Sequence, residues 1–277
     1  MSHQQSYQPI GVFDSGFGGL TVLKEIVKVL PQYDYVYLGD NARAPYGSRS
    51  YETVYQYTLE CVKKLFDQGC ELVILACNTA SAKALRTIQQ VDLPKMGYNK
   101  RVLGVIRPTT ELIGSLTQSK NVGILGTSGT VSSGSYIVEI EKFFPEINVY
   151  QQACPQLVPL IENNEFENDG ANFFIKKYVE SLMKQQSNID TVILACTHYP
   201  LIEDKIKSFL PTHTQLLSQG PIVAQSLKIY LDKHSEMEAS ISRSGTLKFY
   251  TTDSSDIFDK AASAFFGSTV TSQHLAV

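Results

Sequence analysis

Cysteine is scarce in this chain: five in 277 residues, an odd number that cannot make a disulfide framework. Long apolar runs are missing too. None approaches membrane-spanning length, and residues 1–8 are polar where a signal peptide would carry its apolar core. Basic residues are not in excess, 24 against 27 acidic ones. The net charge of −3 leaves no electrostatic footprint for nucleic acid or an anionic membrane. A phosphate loop is also lacking. No Gly-Lys-Ser/Thr follows either glycine turn, and glycines 16, 18 and 19 miss the G-x-G-x-x-G spacing. With 43% hydrophobic and 18% charged residues, the chain reads as a cytosolic globular protein with reduced thiols. It is long enough for one large or two ordinary domains.

Apolar periodicity gives the class. Residues 10–13 read as a strand, Asp14-Ser15-Gly16-Phe17-Gly18-Gly19 as a glycine turn, and 20–30 as a helix stopped by Pro31. A strand is predicted at 35–38, a loop at 39–47, a helix at 51–66 ended by Gly69, a strand at 72–76 and a helix at 80–90. That order belongs to a parallel sheet with helices on both faces. The second third repeats the scheme: strand 122–125, a small-residue turn 126–130, a helix to about 144, strand 147–151, helix 171–186 and strand 191–195. An internal pseudo-repeat is expected, with two halves packed closely around a cleft. The tail holds a strand at 247–250 and a helix at 257–266, too little for a third domain, and is expected to pack back on one half. Residues 238–245 read as a polar loop.

The run Val-Ile-Leu-Ala-Cys occurs twice, ending at Cys77 and again at Cys196. Asn78-Thr79 follows the first copy and Thr197-His198 the second. Such a run reads as a buried strand, and strand ends are where α/β folds place ligands. Cys61, Cys70 and Cys154 read instead as packing residues, since free cysteine behaves as a small hydrophobe. A structural zinc site wants four closely spaced ligands, and Cys196 with His198 has no CxxC partner. A cysteine hydrolase needs one thiolate with a dedicated histidine and leaves the second cysteine idle. What remains is two thiols flanking one substrate carbon. One removes a proton as thiolate while the other donates from the opposite face, inverting a stereocentre without cofactor or metal.

Energetics constrain the rest. A turnover of about 10 per second means a barrier of roughly 16 kcal/mol. At about 1.36 kcal/mol per pKa unit, base and carbon acid can then differ by at most about 12 units. With thiol pKa about 8.5, the carbon acid must behave as if its pKa were near 20 or below. The substrate carboxylate must therefore be neutralised by donors at glycine-rich turns: Ser15 with the turn to Gly19, Asn78-Thr79, and Thr127 with Thr130. Each thiol also needs help with its protonation. Asp14 could position or deprotonate Cys77 or bind an amino group; as a lone acid before a helix it could equally be a cap. His198 could serve Cys196, with Glu162 a further partner.

Taken together, Asp14-Ser15-Gly16-x-Gly18-Gly19, Pro45-Tyr46-Gly47, Cys77-Asn78-Thr79 and Cys196-Thr197-His198 closely resemble the glutamate racemases of the aspartate/glutamate racemase superfamily. The match runs over nearly the whole chain in the right order, and the segment 157–162 is similar to the one bearing a catalytic glutamate. The resemblance implies two pseudo-symmetric α/β/α domains with mostly parallel sheets and an active-site cleft between them. It implies a first domain of 1–104 plus 217–277 carrying Cys77, and an inserted second domain of 105–216 carrying Cys196. It further implies cofactor-free interconversion of L- and D-glutamate for peptidoglycan synthesis, with no metal, by a cytoplasmic homodimer. By position, Cys77 would take the proton from D-glutamate with Asp14 assisting, and Cys196 from L-glutamate with Glu162 and His198. Ser15, Pro45, Tyr46, Gly47, Asn78, Thr79, Thr127, Thr130 and Thr197, with Asp14 and His198, would hold the substrate. Phe17 stands where the family often has a smaller apolar residue. Some relatives with a longer N-terminal extension need a cell-wall precursor as activator; only nine residues precede Ile10, and a need for one is left open.

Rival readings are an aspartate racemase, an arylmalonate-type decarboxylase, and a two-lobed amino-acid-binding or interaction protein. The decarboxylases use a single cysteine, which the doubled run argues against. Aspartate racemases commonly carry an acidic residue where His198 stands. A secreted receptor would need an export signal.

Overall fold

The computed structural model describes residues 8–97 and 99–277; the first seven residues of the polar segment 1–8 lie outside this range. Among the described residues ten strands form two sheets. The first sheet has the order β10-β9-β2-β1-β3-β4, from Ser272–His274, Leu247–Thr251, Tyr35–Gly39, Ile10–Asp14, Leu72–Leu75 and Arg101–Gly104. The second has the order β6-β5-β7-β8, from Asn148–Ala153, Asn121–Gly126, Thr191–Ala195 and Gln215–Leu217. Every pairing is parallel. The four-strand order β2-β1-β3-β4 recurs as β6-β5-β7-β8, so the sequence repeat is also a repeat of topology.

The central strands β1, β3 and β7 are buried along their whole length, as strands covered by helices on both faces must be. The helix Gly19–Val29 turns Leu20, Val22, Leu23 and Ile26 to the core. The helix Tyr51–Asp67 opens on Ser50, whose hydroxyl accepts from the Thr53 N–H at 3.2 Å. Asn168 caps Asp169–Gln185 in the same way. The tail returns to the first sheet, β9 pairing with β2 and β10 with β9.

Three expected elements differ. The helix at 80–90 starts earlier, at Asn78, and breaks after Lys83 into Leu85–Thr87, a π turn at Ile88–Asp92 and Leu93–Met96. Pro94, with no N–H to donate, sits at the last joint. The single helix expected to 144 is two, Ser128–Ser132 and Ser135–Phe143. They are split by Gly134 at φ 65, a conformation that glycine adopts without a Cβ penalty. The polar loop at 238–245 is helical in its first part, Ser235–Ser240, because Met237 buries itself in a run of good helix formers. The helices Ile106–Leu116 and Gln219–Lys233 each follow a crossover from one sheet's last strand, β4 and β8 respectively. Among the described residues no helix is long and apolar enough to cross a membrane.

Candidate active site

The pseudo-repeat puts four turns on equivalent strand ends: after β1 and β3 in one sheet, after β5 and β7 in the other. Asp14 ends β1, Cys77 follows β3, Thr127 follows β5 and Cys196 follows β7. Both thiols are nearly buried, Cys77 at 5% and Cys196 at 6% exposure, and Cys77 lies within range of the charge on Cys196.

Cys77 is the N-cap of Asn78–Lys83, its sulfur accepting from the Ala80 N–H at 3.4 Å. Its own S–H points to Ser15 Oγ at 3.5 Å. Burial and then the charge of Asp14 push the Cys77 thiol up to about 12, against the Ser15 and Ala80 hydrogen bonds. At neutral pH Cys77 is therefore protonated. Asp14 is fully buried; its carboxylate accepts from the Gly16 N–H at 3.0 Å and from Thr197 Oγ1 at 3.4 Å. Burial raises its pKa, while the charge of His198 and the N–H groups of Gly19 and Gly16 pull it down. Asp14 thus acts on Cys77 through its field and ties the first turn to the second thiol's turn.

Cys196 has a different partner. Its sulfur lies 3.9 Å from His198 Nδ1, and His198 Nε2 lies 2.9 Å from Glu162 Oε1. Burial opposes charge on His198, but the hydrogen bonds to Cys196 and Glu162 and their charges outweigh it, raising the imidazole to about 10. His198 is therefore cationic at neutral pH. The phenyl edge contact with Phe265, centroids 5.3 Å apart, holds the ring in place. Phe17 extends that support by stacking on Phe258 and Phe265.

A cluster of hydroxyls joins the two halves. Thr79 Oγ1 lies 2.9 Å from Thr127 Oγ1 and 3.4 Å from Thr130 Oγ1, and the latter two are 3.1 Å apart. Gly47 packs beside Thr127, and its carbonyl accepts from the Gly129 N–H at 2.7 Å. Tyr46 does not present its hydroxyl here: the group donates to Asp40, and the ring is buried between Phe13 and Tyr57. The Pro45-Tyr46-Gly47 segment meets the second half through Gly47, while Pro45 is exposed. Asn78 is 3% exposed; its Oδ1 accepts from Tyr136 OH at 2.7 Å, and its Nδ2 is a buried donor with no partner. Such a donor lacks an acceptor.

The structure also brings in residues that the sequence did not single out. Tyr136 and Gln219 sit behind Asn78, and Thr21 Oγ1 donates to the Thr197 carbonyl at 2.9 Å. Lys83 is buried on the helix that follows Cys77, its Nζ donating to the Arg49 carbonyl at 2.7 Å and its pKa lowered by that burial. Helical spacing from Thr79 to Lys83, i and i+4, was the available signal for the last. Cys61, Cys70 and Cys154 are buried; Cys61 is held beneath Arg43, and Cys154 lies beside the second thiol turn, its carbonyl accepting from Tyr199 OH at 3.4 Å. A cavity of about 850 Å3 lined by Ser81, Gly104, Ile106, Val223 and Leu227 touches neither thiol.

Comparison with known proteins gives the family. A family model described as Asp/Glu/Hydantoin racemase matches residues 10–226. The glutamate racemase of Sulfurihydrogenibium sp. (strain YO3AOP1) is 38% identical over 261 residues, 94% of each chain. Among solved structures, an isoform of glutamate racemase from Bacillus anthracis superposes with a TM-score of 0.88 at 32% identity, covering 98% of both chains. The glutamate racemase of Francisella tularensis in complex with D-glutamate gives 0.86 at 31% identity over 97% of each chain. That of Escherichia coli, in complex with L-glutamate and the activator UDP-MurNAc-ala, gives 0.77 at 25% identity over 98% of this chain and 99% of that one.

Proposed function

We propose that this chain, which belongs to the Asp/Glu/hydantoin racemase family, interconverts L- and D-glutamate with Cys77 and Cys196 as bases on opposite faces of the α-carbon. The observation that carries this reading is the pair of nearly buried thiols on equivalent strand ends, each with a different protonation partner. The α-carbon sits between them. In the direction from L-glutamate, the Cys196 thiolate takes the α-proton, and the electron pair left on carbon delocalises into the carboxylate. The Cys77 thiol then gives its proton to the opposite face, leaving Cys77 as thiolate and Cys196 as thiol. The return reaction runs the same transfers backwards. The protonated Cys77 thiol and the cationic His198 support Cys77 as the donor in the first of these directions.

Stabilising the carbanion falls to the donors. In this reading the Asn78 amide, the Thr79–Thr127–Thr130 hydroxyls and Ser15 donate to the carboxylates and Asp14 receives the ammonium; the unpartnered Asn78 Nδ2 and the hydroxyl cluster support it. Preorganised donors of this kind in a dry site are worth about 2.7–4 kcal/mol each where they meet developing charge. In this reading there are two domains, 1–104 with 217–277 and 105–216, the second sheet's last strand ending at the boundary residue Leu217, and the substrate lies between them. D-glutamate made this way serves peptidoglycan synthesis, and the complex of the Escherichia coli relative makes a UDP-MurNAc-ala activator the regulator to try first.

Incubation with L-glutamate in deuterated water tests the reaction. The α-proton signal should vanish as D-glutamate appears, with deuterium in the product enantiomer. Cys77→Ala and Cys196→Ala should each retain less than about a hundredth of the rate, since nothing else in the site replaces a thiol base. A variant keeping a tenth of the rate would overturn the two-thiol mechanism.

A further inference from the structure

Three buried polar side chains from distant segments form one line. Asn78 opens the helix after β3, Tyr136 lies in the helix Ser135–Phe143, and Gln219 opens the helix after β8. All are at most 4% exposed. Gln219 Nε2 lies 3.0 Å from the Val105 carbonyl, 3.1 Å from Thr109 Oγ1 and 2.8 Å from Tyr136 OH. A backbone carbonyl can only accept, so the amide nitrogen must face this way. With one hydrogen given to Val105, the other is available to the Tyr136 oxygen. Tyr136 has a single proton of its own, which then goes to Asn78 Oδ1 at 2.7 Å. An Asn78 amide held by its oxygen turns its nitrogen the other way, and that nitrogen is the buried donor without a protein partner.

We infer that Tyr136 and Gln219 are positioning residues that set the direction of the Asn78 amide, so that Nδ2 is presented to a substrate carboxylate. The inference rests on the reading of Asn78 as a substrate-binding residue. The relay is polar: the Val105 carbonyl accepts from Gln219 and so fixes its amide, Gln219 donates to Tyr136, and Tyr136 donates to Asn78. Reversing any member would turn the Asn78 oxygen toward the carboxylate, an acceptor facing an acceptor.

Steady-state kinetics with L-glutamate test this with five variants. Asn78→Ala should raise KM at least tenfold; an unchanged KM would overturn both the binding role and the relay. Tyr136→Phe should raise KM about tenfold with a smaller change in kcat, because the amide loses its orientation while the thiols stay in place. If Asn78→Ala raises KM and Tyr136→Phe does not, the binding role stands and the relay fails. Gln219→Met leaves Tyr136 free to donate and should change KM less than about threefold. Gln219→Glu reverses the polarity. Ionised, it has no proton to give; protonated, its one hydrogen is taken by Val105. Tyr136 must then donate to residue 219, and KM should rise more than in Gln219→Met. On a Tyr136→Phe background that excess should disappear. Packing loss alone would make Gln219→Met the worse substitution and leave the double variant worse than either single one. That result would overturn the relay.

Discussion

His198 stands between two acceptors, and its protonation makes stability depend on pH. Its pKa rises from 6.5 to about 10 on folding, so its contribution is complete below about 6.5 and is lost as pH climbs toward 10. The buried thiols add a later loss. Cys70 and Cys77 are raised from 9.0 to about 12, so above about pH 9 the unfolded chain ionises first and is favoured. Between about 6.5 and 9, before the thiols contribute, the loss of charge on His198 lowers stability. Melting temperatures across that window should fall in the parent protein and stay nearly flat in His198→Asn; parallel curves would refute the assignment. Glu162→Gln removes one of the two acceptors and should move the fall to lower pH. At this scale the sequence was informative about identity but not about direction. Cys77, Cys196, His198 and Glu162 were visible as candidates, whereas the Asp14 link to Thr197 depends on which turns approach each other in space.

The glycine turn after β1 shows what an element contributes. Gly18 has ordinary helical dihedrals, φ −58 and ψ −36, so alanine would suit its backbone. Its environment would not. A Cβ there would overlap Thr197 Oγ1 and lie 2.5 Å from His198 Nδ1. Gly18→Ala should therefore push the two turns apart and cut kcat/KM about a hundredfold, as displacement of about 1 Å commonly does. The melting temperature should drop much less than activity; an enzyme with normal kinetics would show that the contact is slack. Burial and length decide which elements were legible. Strands β1, β3 and β7 carry continuous apolar runs and were read within a residue or two. The missed strands β4, β8 and β10 are sheet-edge or near-edge pieces of three or four residues, too short to show a period. Tyr136 and Gln219 gave no motif either, since a buried hydrogen-bonded line leaves no spacing in the chain.

Across the whole molecule, two sheets of like topology meet over a nearly closed site. A ligand held by both should bind the folded state alone. D-glutamate at about a hundred times its Kd then adds about 2.7 kcal/mol of stability, which is roughly 5–10 °C in Tm for a chain of this size. The shift should persist in Cys77→Ala, which loses chemistry but keeps the carboxylate donors. Its absence in the parent protein would remove glutamate as the ligand. The two halves repeat each other in strand order but not in the partners of their thiols: a buried carboxylate beside one, an imidazole and a carboxylate beside the other. Mirror-image molecules have equal free energies in water, so the equilibrium between them is even, whatever enzyme connects them. The Haldane relation then forces kcat/KM to be the same in both directions. Unequal partners can make one enantiomer bind more tightly, but it must turn over more slowly in the same proportion. The asymmetry of the site is thus invisible in the rate at low substrate and appears at saturation, as a difference in turnover between the two enantiomers.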